Sequence, residues 1–332
     1  MADQRRGGIA WTEETLNPIR ARHRATGKIG WYCQRVSDGC KHCYAATMNE
    51  WRGNGVDYTV PALKDVELFL DAKILDAPLR WRRPRRVFLC SMTDLFADFV
   101  PDEWIDRIFA VMALCPQHTF QVLTKRPERL QAFFKDGWEG VFYGYEDTPE
   151  YRRVAHDGNS GNKEWSQEAA DRVSAARRTI DGSPLPNVWL GVSVESRDYL
   201  GRLDLLCRVP AAVRFVSFEP LLEDLGDVDL AGINQAIYGG EAGPKARPCD
   251  LAWIRRGIAC CQRSGTAAFV KQLGAHPHNE APSGRMFCWC ARGLNDCGAG
   301  SWSRSLVLRD RKGGDWSEWP EDLRVREFPR DV

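Results

Sequence analysis

Short apolar runs that end in polar clusters recur along the chain, each followed by a stretch with helical spacing. They cover residues 29–33, 86–90, 120–123, 188–194, 213–218, 236–238 and 267–270. Runs that are apolar at successive positions, without polar alternation, indicate strands buried on both faces, as parallel strands are. Between the second and third runs, Pro101, Asp102 and Glu103 favour a helix start; Trp104, Ile105, Ile108, Phe109 and Met112 share one face, and Pro116 stops it. Alternating strands and helices predict an α/β fold with a parallel-stranded TIM-type (β/α) barrel, partial or full. Chemistry in such a barrel sits beyond the C-terminal strand ends, so the polar residues after each run become the site candidates.

Two regions break the rhythm. Residues from about 137 to 186 are polar, with helical character over 164–180, and are expected to form a surface insertion between the third and fourth strands. The tail after Gly274, rich in Gly, Trp, Cys and charge, is expected to cap the barrel irregularly. The domain reading is therefore a barrel over 1–274 and an extension over 275–332. A chain of 332 residues with 43% hydrophobic content can bury a large core. Its 46 basic and 45 acidic residues, net +1, exclude a generally polycationic nucleic-acid coat. The first eight residues lack an apolar core, and the longest apolar stretch, 108–115, is too short to cross a bilayer. A cytoplasmic protein with no membrane partner is expected, and in that reducing compartment its twelve cysteines are mostly thiols.

Cys33, Cys40 and Cys43 lie within eleven residues, directly after the first expected strand. Three thiolates suit three irons of a [4Fe–4S] cluster and leave the fourth open. Gly39 allows the chain to bend closely there, and Tyr44 can shield the site. The same thiols with His42 or His23 suit a tetrahedral zinc, and buried thiols without metal are the plainest alternative.

Several further stretches complete a pattern: Ile9-Ala-Trp11-Thr12, the block Val36 to Ala45, Ser91-Met-Thr-Asp94-Leu-Phe96, Phe120 to Pro127, Asn187 to Glu195, Phe218-Glu219-Pro220, Gly239-Gly-Glu241-Ala-Gly243, Phe269-Val-Lys271-Gln272 and Glu318-Trp-Pro320. In them the chain resembles an uncharacterised family of phage and prophage proteins that is similar to radical S-adenosylmethionine enzymes. The resemblance implies a cluster on the three cysteines that cleaves S-adenosylmethionine to a 5′-deoxyadenosyl radical. It also implies an external electron donor and a separate three-Cys-motif protein as a partner. Six residues separate Cys33 from Cys40, where the usual radical signature has three, and the approach over 17–30 departs from the usual one.

At the strand ends, Asp94 is a candidate for the cofactor's ammonium group or, alternatively, a cap of the next turn. Ser193 and Glu195 suit ribose hydroxyls or a helix start. Gly239, Gly240 and Glu241 suit a close backbone approach to the cofactor or a tight strand-to-helix turn. Lys125, Glu219, Lys271 and Gln272 are substrate-binding candidates. Cys288, Cys290 and Cys297, with His276 or His278, form a possible second metal set, whereas Cys260 and Cys261 read as core thiols. The run Arg80 to Arg86 with Trp81, and Arg20, Arg22, His23 and Arg24, either contact phosphates or are solvated charge. The functional expectation is a radical S-adenosylmethionine enzyme acting on a nucleic acid, a nucleotide or another small metabolite. A zinc-stabilised nucleic-acid-binding protein without catalysis is the alternative, and a degenerate barrel that keeps its cluster for structure or redox sensing a third.

Overall fold

The computed structural model describes residues 9–157, 163–279, 306 and 308–330. Twelve strands occur there: β1 (Glu14–Leu16), β2 (Ile19–His23), β3 (Ile29–Gly30), β4 (Val66–Leu70), β5 (Arg86–Leu89), β6 (Thr119–Thr124), β7 (Val188–Ser193), β8 (Val213–Phe218), β9 (Gln235–Gly239), β10 (Cys249–Asp250), β11 (Ala267–Gln272) and β12 (Pro277–His278). Seven of them form one sheet in the order β1-β5-β6-β7-β8-β9-β11, with every neighbouring pair parallel. Among the described residues no ladder joins β1 to β11, so the sheet is a half-barrel.

The apolar runs are continuous because both faces of this sheet are covered. Val87, Leu89, Val122, Leu190, Val216 and Val270 face the helices and join the main core. Phe88, Trp189, Phe215, Ile237 and Phe269 face inward and pack with Trp11, whose ring centroid lies 4.6 Å from that of Phe88. Gly191 makes room for this plug: a Cβ there would sit 2.6 Å from the Phe215 ring. The helix Asp102–Ala113 lies between β5 and β6, its acidic first turn facing the positive end of the helix dipole.

The run 29–33 is not a strand of this sheet. Only Ile29–Gly30 is extended, and it pairs antiparallel with β2 in a separate sheet ordered β3-β2-β4. Of its apolar residues, Tyr32 is buried beside Val56 and Val66. Trp31 and Cys33 pack around Tyr58 and Met92 in a small cluster of their own, while Ile29 is exposed. The first strand of the parallel sheet is β1, which precedes this subsheet.

Within 137–186, the helix Gly137–Glu146 buries Trp138, Val141, Phe142 and Tyr145. Trp138 packs 4.9 Å from the Phe134 ring and donates to the Pro210 carbonyl at 2.7 Å. The helices Pro149–Asp157 and Lys163–Ala176 follow. Near the C-terminus, Trp319 and Leu323 enter the core, and the outer edge of β11 is met by two backbone bonds of 2.8 Å, Val270 N to Val325 O and Glu327 N to Ala268 O. An exposed edge is thereby covered. Among the described residues no helix is long and apolar enough to cross a membrane.

Candidate functional site

The cysteine loop is held over the C-terminal ends of the parallel strands by contacts that span the sequence. Ser37 donates to Glu195, just past β7, at 2.9 Å. The His42 Nδ1 lies 3.1 Å from a Glu241 oxygen, just past β9. Arg247 donates to the Asp38 carbonyl at 3.1 Å, and the Tyr44 hydroxyl donates to the Ser91 carbonyl, past β5, at 2.7 Å. Gly39 has to be glycine here, because a Cβ would lie 2.6 Å from the Glu195 side chain.

All three thiols are free; the Cys33 thiol donates to the Gln34 carbonyl at 3.8 Å, and the Ser37 hydroxyl lies 3.6 Å from the Cys40 sulfur. Burial pushes Cys33 up to about 12, reinforced by the Asp94 charge and opposed by Arg126 and a backbone bond from Asp94. Burial also raises Cys43, against the nearby backbone N–H groups of Ala46 and Ala45. Cys43 is the N-cap residue of the helix Tyr44–Arg52, whose first turn leaves N–H donors without intrahelical partners, and its thiol makes no cap bond to them. Burial acts upward on Cys40 too, but the Lys125 charge and the bonds from Val36 and Ser37 outweigh it and hold that thiol below its usual range. Iron–sulfur clusters and zinc are both held by thiolates, so three free thiols on one loop are a donor set for either.

Among the described residues no three His, Cys, Asp or Glu side chains converge as a single metal ion needs; tetrahedral zinc would bring its sulfurs within about 3.8 Å of one another. Of the histidines that suited such a zinc, His42 is turned to Glu241, and His23 accepts from the Ala25 N–H at 3.1 Å.

Two buried carboxylates organise the mouth. Glu195 is fully buried and is shared by Ser37, Lys125 and Arg202, the last at 3.2 Å. Arg202 also donates to the Ser193 carbonyl at 2.7 Å. Glu241 accepts from the Arg247 side chain at 2.7 and 2.9 Å and from its backbone at 2.8 Å. Burial alone would raise Glu241, but the side-chain and backbone bonds from Arg247 and the bond from His42 bring it below its ordinary value.

Asp94 is taken up within the protein. Its oxygens accept from the Phe96 N–H at 3.0 Å, Thr124 at 2.7 Å and the Lys125 N–H at 2.9 Å, and Arg126 lies 3.1 Å away. The bond to Phe96 is the capping turn, and the others staple the ends of β5 and β6 together. Lys271 donates to Glu219 at 2.6 Å. Gln272 reaches the Gly240 carbonyl at 2.9 Å. Gly240 is a packing glycine, since a Cβ would lie 2.3 Å from the Leu273 carbonyl oxygen; one at Gly239 would meet Glu219 at 3.3 Å.

Sequence reasoning did not single out Ser37, Arg202 or Arg247 as parts of the site. Ser37 meets a partner 158 positions away, whereas Arg202 and Arg247 lie seven and six residues after Glu195 and Glu241 and stood close enough to have been read with them. Beside the loop opens a cleft of about 610 Å³ lined by Val36, Lys125, Tyr199, Arg202 and Arg208 among others. Cys260 and Cys261 are buried in the core. Cys288, Cys290 and Cys297 lie outside the described residues. The backbone carbonyl of His276 accepts from Cys249 at 3.1 Å, and His278 lies 3.7 Å from Asp250.

The early arginines are engaged locally. Arg20 donates to the Gly30 carbonyl at 3.0 Å, Arg22 lies 3.4 Å from Glu67, and Arg24 donates to the Lys64 carbonyl at 3.1 Å.

Residues 6–319 match the sequence profile of a family described as a protein of unknown function, DUF5131. No curated protein and no solved structure matches the chain.

Proposed function

Because the chain belongs to the DUF5131 family, whose function is unknown, its chemistry has to be read from its own site, and we propose that it is a radical S-adenosylmethionine enzyme in which Cys33, Cys40 and Cys43 hold three irons of a [4Fe–4S] cluster. When bound, such a cluster supplies the electron that breaks a carbon–sulfur bond of S-adenosylmethionine and gives a 5′-deoxyadenosyl radical.

The observation that carries the reading is the seating of a loop with three free thiols over the ends of parallel strands by Glu195 and Glu241. That is where the loops of a β/α half-barrel converge on a ligand. Glu195 and Glu241 act by fixing the loop, and Asp94 by fixing the turn that carries Lys125 and Arg126. Ser193, Gly239 and Gly240 border the cofactor. The Glu219–Lys271 pair, with Gln272, is assigned to the substrate: a nucleic acid, a nucleotide or another small metabolite. The same reading makes this a TIM-type fold working in the cytoplasm, the host's for a phage-encoded protein, with an external reductant and a separate three-Cys-motif protein as partners.

Anaerobic reconstitution with iron and sulfide, followed by electron paramagnetic resonance of the reduced protein with and without S-adenosylmethionine, tests it. The expected result is a cluster signal that shifts on addition of S-adenosylmethionine and is lost on changing Cys33, Cys40 or Cys43 to Ala. Zinc uptake with no reconstitutable cluster would overturn it in favour of a zinc-stabilised nucleic-acid-binding protein.

A further inference from the structure

The run Arg80 to Arg86 takes no part in the site above. It directly precedes β5 and so lies at the N-terminal end of the sheet, opposite the cysteine loop. Trp81 is covered rather than offered: the Arg85 guanidinium lies 4.8 Å over its ring, and His118 meets it edge-on at 5.5 Å.

The carboxylates around this end are already matched. Glu14 pairs with Arg85 at 2.9 Å, Glu13 with Arg86 at 4.0 Å, Asp76 with Arg153 at 2.9 Å and Glu168 with Arg172 at 2.5 Å. Arg80, Arg82 and Arg83 are exposed. Among the described residues none of the three has a carboxylate partner, and Arg80 donates only to the Lys73 carbonyl, at 3.3 Å. Arg80 also borders a cleft of about 350 Å³ whose lining includes the Asp76–Arg153 and Glu168–Arg172 pairs.

We propose that this end of the half-barrel binds the phosphodiester backbone of a nucleic acid through Arg80, Arg82 and Arg83. Guanidinium forks suit phosphate oxygens bidentately. With Trp81 covered, no aromatic face in the run is free to stack on a base, so the surface reads charge and not sequence. The inference does not depend on the cluster, because the arginines stand at the other end of the sheet.

Fluorescence anisotropy with a short labelled DNA duplex of arbitrary sequence, over a salt series, tests it. Three phosphate contacts predict a fall in affinity of about 40-fold between about 50 and 200 mM salt, and the R82A/R83A variant, keeping one contact, only about 3- to 4-fold. Because both side chains are exposed the variant should keep its fold, checked by circular dichroism, and R82E/R83E should abolish binding. Absence of binding at low salt, an unchanged salt slope in R82A/R83A, or equal competition by polyglutamate would overturn the proposal, the last in favour of an acidic polypeptide partner. The titration is run before and after reconstitution with iron and sulfide: binding without a cluster signal fails the enzyme reading alone, and a cluster signal without binding fails this proposal alone.

Discussion

Ser37 and Glu195, 158 positions apart in sequence, share a 2.9 Å hydrogen bond that seats the cysteine loop on the end of β7. The bond is one of three on a fully buried carboxylate whose other partners, Lys125 and Arg202, come from the end of β6 and from the helix after β7. Burying a charge is costly unless it is paired and hydrogen-bonded. Glu195 is both, so the loop, two strand ends and a helix are fixed by one group.

Glu195→Gln should therefore destabilise the whole chain. The amide can keep the Ser37 bond, but Lys125 and Arg202 lose their shared anion. Removing one partner of a buried pair costs about 3–5 kcal/mol. Lys125 is 22% exposed and can rehydrate, which favours the lower end, about 3 kcal/mol. Urea unfolding should show a lower midpoint at unchanged slope, with Ser37→Ala costing about 1 kcal/mol by comparison. A loss below that of Ser37→Ala would mean that the ion pairs do not hold the loop.

The two tight glycines should respond differently to a methyl group. At Gly240 the obstacle is a backbone carbonyl, 2.3 Å from a built Cβ, so Gly240→Ala should cost about 1–3 kcal/mol or more in thermal or urea unfolding. At Gly39 the obstacle is the Glu195 side chain. Gly39→Ala should push the loop off its carboxylate and speed the reaction of Cys40 with a thiol reagent. Unchanged Cys40 reactivity would contradict that.

Asp94→Ala leaves Thr124 and two N–H groups without their acceptor and Arg126 without its counter-ion. A cost of about 3–5 kcal/mol is expected. If the residue instead served mainly a bound ligand, the unliganded variant would unfold at the wild-type urea concentration.

Acid stability should carry the mark of Asp106, in the middle of the helix Asp102–Ala113. Burial, with the charges of Asp102 and Glu103, raises it from 3.8 to about 6. The folded chain then holds this proton more tightly than the unfolded one. Its stabilising effect is full below pH 3.8 and is lost as pH rises through about 6. Asp106→Asn, which cannot ionise, should gain about 1–2 kcal/mol at neutral pH, discounted for partial exposure. Unfolding curves of the two proteins should converge near pH 3.5–4, and a constant difference across that range would refute the assignment.

Six of the seven parallel strands were legible as apolar runs, because a strand covered on both faces has little room for polar residues. β1 was not: of its three residues only Leu16 is buried, too short a signal to separate from a loop. The run 29–33 misled because the partial burial of Trp31 and Cys33 in one side cluster and the burial of Tyr32 in another select the same residue types as a sheet does. The grouping of Cys33, Cys40 and Cys43, and the polar residues after the strands, were also plain in the sequence. What each polar group touches was settled by tertiary structure alone. Local spacing gave Asp94 its capping turn but not its bonds to Thr124 and Lys125. It named Glu195 and Glu241 without showing that they seat the cysteine loop through Ser37 and His42. Apolar periodicity is a local property that the chain writes into consecutive residues, whereas Ser37 meets Glu195 across 158 positions and His42 meets Glu241 across 199, and only the packed sheet brings them within bonding distance.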